Sequence, residues 1–337
     1  MRLLILVLGL TVTLSACQTV RVASEKFDFQ TPYYYSHTYM YRGEYKEKRS
    51  GSAEVFLPDG IETTKKHPAI VIAHGASGIG KQQFWWRDRL LDRGFIVAMI
   101  DSYTNRGLTN TIMEPFAVTH EEMIGDAFMT LERLAKNPLV DTKRIGIMGG
   151  SRGGITALYS GMKGVREKFI DSNVEYAFHI SKYPYCGFYP LGMKTTGKPT
   201  LLMAGAKDDL TWAVHCQRFV EKAKAAGNTN ITYVEYPNVG HSIDNPSIIN
   251  LPTPTFTMRF WSPNDCYFEQ REDGIFYEGI SGRSTLTKED RAAIREYGGI
   301  CEKQKNPTVT FIRPPSEVVD DARRKILDFV KPFEGAK

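Results

Sequence analysis

Ser151 stands in Gly149-Gly150-Ser151-Arg152-Gly153, a G-x-S-x-G run. A serine hydroxyl is a weak nucleophile. It attacks a carbonyl only when a base takes its proton, and the base needs a third group to orient it. Two later runs supply the other members. Ala206-Lys207-Asp208-Asp209 offers two carboxylates, and Gly240-His241-Ser242 offers an imidazole. The chemistry these types permit is acyl transfer, with Ser151 as nucleophile, His241 as base and a carboxylate behind it. Asp208, three residues past Gly205, is the expected acid, with Asp209 as the alternative.

Such a constellation needs elements that deliver each group to one place. PAIVIAHG (68–75), FIVAMID (95–101), RIGIMG (144–149), YAFHIS (176–181), PTLLMAG (199–205) and ITYVEYP (231–237) are short apolar runs. Runs of this kind are expected of strands buried on both faces. GSAEVFLP (51–58) reads as a further strand. Helical spacing separates them at 83–94, 118–136, 155–162 and about 212–226, and SEVVDDARRKILDFVKPF (316–333) is an amphipathic last helix. Alternation of this kind predicts parallel βαβ units with helices on both faces, and ligands beyond the carboxyl ends of the strands. Ser151, Asp208 and His241 each follow a separate strand, in the order of the α/β-hydrolase triad. The glycines around Ser151 permit a sharp strand-to-helix turn. The Arg152 amide then opens a helix facing a developing oxyanion. His74-Gly75-Ala76-Ser77-Gly78 closes the first buried strand and resembles an oxyanion loop, with the Ala76 amide as second donor. Trp85, Tyr103, Arg106, Tyr185 and Trp212, with Trp86, are candidates for a substrate pocket, and Arg106 and Arg152 for binding an acidic group.

The ends and the composition set limits. The chain opens MRLLILVLGLTVTLSACQ. Its apolar run is too short to span a bilayer as a helix and suits a signal-peptide core. Leu14-Ser15-Ala16-Cys17 resembles a bacterial lipobox, so residues 1–16 are expected to be removed and Cys17 lipidated. That places the protein in the cell envelope, tethered by lipid to the outer membrane facing the periplasm. Residues 17–50 read as a tether and extended edge without a clear helix, and 51–333 as the main domain. A net charge of +5, scattered along the chain, gives no argument for nucleic acid. Beyond Cys17 there are four cysteines. In an exported chain they suggest two disulfides with three possible pairings, of which Cys186–Cys216 and Cys266–Cys301, each within its own region, are favoured, with free buried thiols as the alternative. Their spacings match no zinc pattern.

AHGASGIG, GFIVAMIDSYTNRG, MGGSRGG, YPYCG, MAGAKDDLTWAVHC and YPNVGHS together resemble the dienelactone hydrolase family over roughly residues 50–245, and again in the last helix. The resemblance implies an α/β-hydrolase fold and hydrolysis of small esters or lactones without a cofactor. It also implies a triad of Ser151, Asp208 and His241, with oxyanion donors Ala76 and Arg152. The enzymes that name the family carry cysteine at the elbow, where this chain has Ser151, so a general esterase is implied. Residues of about 246–315 are an addition to the family pattern, read as a loop-rich cap or flap. Two other readings compete. Gly75 to Gln82 nearly spells a phosphate-binding loop, but Gln82 replaces the hydroxyl that ligates magnesium. A hydrolase fold that has lost its chemistry and serves as an envelope binding module is the other.

Overall fold

The computed structural model describes residues 21, 23–245, 255–259, 265–286 and 308–335. The leader 1–16 and the lipidation candidate Cys17 lie outside the described residues.

The apolar runs form the centre of an eight-stranded sheet. In chain order its strands are β1 (Glu25–Pro32), β2 (Lys48–Phe56), β3 (His67–Ala73), β4 (Ile96–Asp101), β5 (Val140–Gly150), β6 (Phe178–Lys182), β8 (Thr200–Gly205) and β9 (Ile231–Tyr236). A two-residue strand, β7 (Phe188–Tyr189), lies outside this sheet. The spatial order is β1-β2-β4-β3-β5-β6-β8-β9. β1, β2 and β4 pair antiparallel, and every pairing from β4 to β9 is parallel. This is the mostly parallel α/β-hydrolase sheet.

β3 shows why these runs lack alternation. Ala69, Val71 and Ala73 join one core cluster, while Ile70 and Ile72 join the other. The first cluster receives α3 (His120–Ala135), α4 (Arg152–Tyr159) and α5 (Ala213–Ala225). The second receives α2 (Lys81–Leu91) and the C-terminal helix Ser316–Val330. Both faces are therefore covered. α3 starts with a capping box: Thr119 Oγ1 accepts the Glu122 amide at 3.1 Å, and Glu122 Oε2 accepts the Thr119 amide at 2.9 Å.

Residues 25–50, read as tether and extended edge, are built into the domain. β1 is the edge strand, and its burial alternates along Glu25–Gln30, with Phe27 and Phe29 turned inward. The segment also holds a six-residue helix, α1 (His37–Arg42), absent from the sequence reading. Its turn is too short for a visible 3.6-residue period. Burial of His37, Thr38 and Met40 fixes it instead.

The described parts of the addition at 246–315 carry strands as well as loops. These strands are β10 (Thr255–Arg259), β11 (Phe268–Gln270), β12 (Phe276–Glu278) and β13 (Thr308–Ile312). β10 pairs antiparallel with β13, and β11 joins β12 to β7. Cys186 and Cys216 form the expected disulfide, tying the segment after β6 to α5. Cys266 is disulfide-bonded as well. Its expected partner, Cys301, lies outside the described residues.

Candidate active site

β5 ends at Gly150 and α4 begins at Arg152, so Ser151 alone makes the turn. Its backbone is forced to φ 57°, ψ −120°, a region that non-glycine residues avoid. Its amide donates to Lys182 O at 3.0 Å, which anchors the turn to β6. Glycine is required for packing here. A Cβ on Gly153 would lie 2.1 Å from Ala73 O, and one on Gly149 would lie 2.3 Å from the Gly153 carbonyl. Helix α4 therefore presses directly on the ends of β3 and β5. The Arg152 amide belongs to the first turn, where helical N–H groups lack intrahelical acceptors.

The candidate acid and base come from the ends of β8 and β9. His241 Nδ1 donates to Asp208 Oδ2 at 2.7 Å, and both side chains are buried. Asp208 accepts three more hydrogen bonds: from the Leu210 amide at 3.0 Å, the Thr211 amide at 2.9 Å and Thr211 Oγ1 at 2.8 Å. These donors fix the orientation of the carboxylate. Asp209 turns away. Both of its oxygens accept the Thr310 amide, at 3.0 and 2.9 Å. Burial raises its carboxyl, the Thr310 amide opposes that, and neighbouring Asp208 raises it further.

Tyr183 links the base to the elbow. Its ring packs edge-on against His241 with centroids 4.8 Å apart. Its hydroxyl lies where a Gly150 Cβ would be, 2.3 Å away. Its own φ is 39°, a second strained residue at the site, and Ser242 at 72° is a third. Behind it runs a buried polar network. Gln82 Nε2 donates to Tyr183 Oη at 2.9 Å and to Asp244 Oδ1 at 2.8 Å. Trp86 Nε1 donates to Asp244 Oδ2 at 2.8 Å, and Lys182 Nζ to the same oxygen at 2.5 Å. Burial lowers Lys182, while pairing with Asp244 opposes that shift. The network joins the first turn of α2, the end of β6 and the turn after His241.

The loop after β3 abuts Ser151. A Cβ on Gly75 would approach Ser151 Cβ to 3.5 Å. Ala76 O accepts the Thr111 amide at 2.8 Å, which orients the peptide planes of the loop. His74 braces it from below. Its Nε2 accepts the Ser102 amide at 3.1 Å, so Nδ1 carries the proton and donates to Gly75 O at 2.8 Å. Burial lowers the His74 pKa, which keeps it in this neutral form.

The pocket candidates fare unevenly. Tyr103 is buried under the loop, with its hydroxyl 3.3 Å from Gly75 O and 2.8 Å from Thr111 Oγ1. Trp212 precedes α5 and donates its indole N–H to Asp209 O at 3.2 Å, folded back on the acid turn. The other four are structural. Trp85 stacks beneath the Arg323 guanidinium at 3.7 Å, on the C-terminal helix. Trp86 is buried core. Tyr185 is buried, and its hydroxyl donates to Cys266 O. Arg106 makes a two-pronged bond to Asp126 at 2.8 and 2.9 Å, and lies 3.3 Å from Glu122. Among the described residues the Arg152 guanidinium meets no acidic group. It donates to Pro115 O and Val118 O, pinning the segment before α3. In the near phosphate-loop, Asp101 caps the following turn through the Tyr103 and Thr104 amides, both at 2.9 Å. Lys81 and Gln82 have become the first turn of α2.

Sequence reasoning missed Thr211, Tyr183 and His74 as supports. Thr211 left a signal: Asp208-x-x-Thr211 is a turn-and-cap pattern. Tyr183 and His74 act through contacts made only in the fold.

The sequence matches the model of the dienelactone hydrolase family over residues 53–254, a span that includes Ser151, Asp208 and His241. A 110-residue stretch is 29% identical to dipeptidyl-peptidase 5 of Porphyromonas gingivalis, covering 31% of this chain and 16% of that protein, a small part of its length. Among solved structures, a thermophilic esterase of the planctomycete Thermogutta terrifontis aligns with a TM-score of 0.45 and 18% identity, over 58% of this chain and 79% of that one. A candidate dienelactone hydrolase of Klebsiella pneumoniae subsp. pneumoniae aligns with a TM-score of 0.47 and 17% identity, over 65% and 89%. The family match spans more than half of the chain, and the sheet order is that of an α/β-hydrolase. The chain belongs to the dienelactone hydrolase family.

Proposed function

We propose that the protein hydrolyses carboxylic esters or lactones through an acyl-enzyme on Ser151. His241 Nε2 takes the proton from Ser151 Oγ as the oxygen bonds to the substrate carbonyl carbon. The Ala76 and Arg152 amides hold the oxyanion that forms. When the tetrahedral intermediate collapses, the C–O bond breaks and His241 protonates the leaving alcohol. Water then attacks the acyl-enzyme with His241 as base, releasing the acid and restoring Ser151. Asp208 holds His241 in the tautomer with Nδ1 protonated and stabilises its charged form. This assignment needs no metal or cofactor.

The observation that carries the reading is the strained backbone of Ser151 at the head of α4, together with a strand-end histidine bonded to Asp208, with Tyr183 packed against both that histidine and Gly150 of the elbow. Strain of this kind persists only where the surroundings impose it. With short p-nitrophenyl esters, Ser151→Ala is expected to reduce turnover by about 10⁴-fold or more, with the melting temperature kept. Turnover within tenfold of wild type would refute the assignment.

We further propose that the protein is exported and anchored by lipid at Cys17, on the strength of the Leu14-Ser15-Ala16-Cys17 run. Expressed in a bacterium, wild type should label with radioactive palmitate and sediment with membranes. Cys17→Ala should lose the label. Equal labelling of both would refute the anchor.

A further inference from the structure

The triad accounts for Asp208 and leaves its neighbour to be explained. Asp209 spends both oxygens on one backbone amide of β13, far along the chain. A carboxylate bonded to an amide forms a strong, charge-assisted contact. The latch therefore fixes β13 one residue from the triad acid. β13 also packs against the other side of the site. A Cβ on Gly240, the residue before His241, would lie 3.3 Å from the Ile312 amide. Between these two anchor points sits Phe311. Its ring meets the His241 imidazole edge-on, with centroids 6.0 Å apart and planes at 83°.

His241 thus packs against two aromatic rings of different origin. Tyr183 directly follows β6, is buried, and has its hydroxyl bonded to Gln82. Phe311 comes from the added segment and is only half-buried. In the acyl transfer proposed above, His241 hands its proton to the departing alkoxide. The alcohol group must then lie within hydrogen-bond reach of the imidazole. A ring packed beside that imidazole borders the space. Its face and edge gain from apolar contact, and it offers a charged group neither hydrogen bond nor counter-ion.

We propose that the β10–β13 arm forms the alcohol side of the substrate cleft, with Phe311 as the specificity-determining side chain and Asp209 as the positioning residue that fastens it there. The substrates favoured are esters of apolar alcohols, aromatic ones above all. The proposal rests on the acyl-transfer reading, and deepens it by naming the leaving-group class.

The test uses the full chain and three acetate esters with a common acyl group: methyl, butyl and benzyl. Wild type is expected to show kcat/KM rising from methyl to benzyl. Phe311→Ala should lower the benzyl-to-methyl ratio about tenfold, mainly through KM, and Phe311→Leu should keep most of it. Asp209→Ala should lower the same ratio. The double variant should fall no further than the lower single, because both act through one arm. A purely structural brace would instead lower all three esters alike together with the melting temperature, and that result overturns the proposal. So does an unchanged ratio with esters still turned over, which leaves the hydrolase reading standing. No turnover of any ester, together with failure of a fluorophosphonate to label Ser151, overturns that reading and this proposal with it.

Discussion

Gly153→Ala adds one methyl group at the point where α4 meets the sheet. The new Cβ would lie 2.1 Å from Ala73 O, 2.7 Å from the Ala73 carbonyl carbon and 2.8 Å from His74 O. All three atoms are backbone, so no flexible side chain can yield. Restoring a tolerable contact requires α4 and the end of β3 to part by roughly 1 Å. Overpacking of this sort costs about 1–3 kcal/mol of stability. The catalytic cost should be larger in relative terms. α4 carries the Arg152 amide, β3 leads into the Ala76 amide, and Ser151 lies at the hinge between them. A misplacement of about 1 Å typically lowers turnover about a hundredfold, equal to about 2.7 kcal/mol of barrier. The assay is kcat and KM on a short p-nitrophenyl ester beside a thermal melt. The control is Gly80→Ala, where the nearest atom to a new Cβ is the end of the Gln83 side chain at 3.8 Å. The control should stay within about threefold of wild type, since an N-cap change from Gly to Ala costs only a fraction of a kcal/mol to about 1. Gly153→Ala with wild-type kcat would refute the claim that this contact sets the geometry of the elbow.

Thr211→Val removes the hydroxyl that donates to Asp208 Oδ2 at 2.8 Å while keeping the shape. It should lower kcat about tenfold with little change in KM, since one hydrogen bond to a charged group is worth about 1.5–3 kcal/mol, and an unaltered kcat would refute a supporting role. His179 supplies the pH dependence of stability. Its Nδ1 donates to Ala157 O at 3.0 Å, and burial pushes its pKa down to about 4. The unfolded chain binds the proton from about pH 6.5 downward and the folded chain does not, so stability is present above that pH and is lost on acidification. Between pH 7 and pH 5 the loss from this group is about 2 kcal/mol. In urea denaturation, the stability difference between wild type and His179→Gln should shrink by about that amount over the interval. A difference that is constant with pH would refute the buried neutral form.

Much of the fold and the core of the site were legible because their signals are local. Strands β3 and β8 are largely apolar, since Ala69–Ala73 and Leu201–Met203 alternate between one core and the other. Glycines at 149 and 153 mark where α4 presses on the ends of β5 and β3, and Gly150 leaves room for the Tyr183 side chain. Illegible features depend on partners distant in sequence. β10 and β13 pair across about fifty residues, and β7 finds β11 across about eighty. No local pattern announces either. Helix α1 is held by burial rather than by its own propensity. Pocket residues failed for a different reason. Trp85 and Arg106 have suitable types, but type does not give direction, and both point into structural contacts. Asp208 and Asp209 are chemically alike and adjacent. Only the fold shows that one meets His241 and the other meets Thr310.

The central claim is that Ser151 is an activated nucleophile. The most direct measurement treats the folded protein with a fluorophosphonate and maps the modified peptide by mass spectrometry. The account predicts a single adduct on Ser151, lost in His241→Ala and strongly slowed in Asp208→Ala. A correctly folded protein that takes no label at Ser151, or takes it equally without His241, would contradict the account and point to a hydrolase fold used for binding alone.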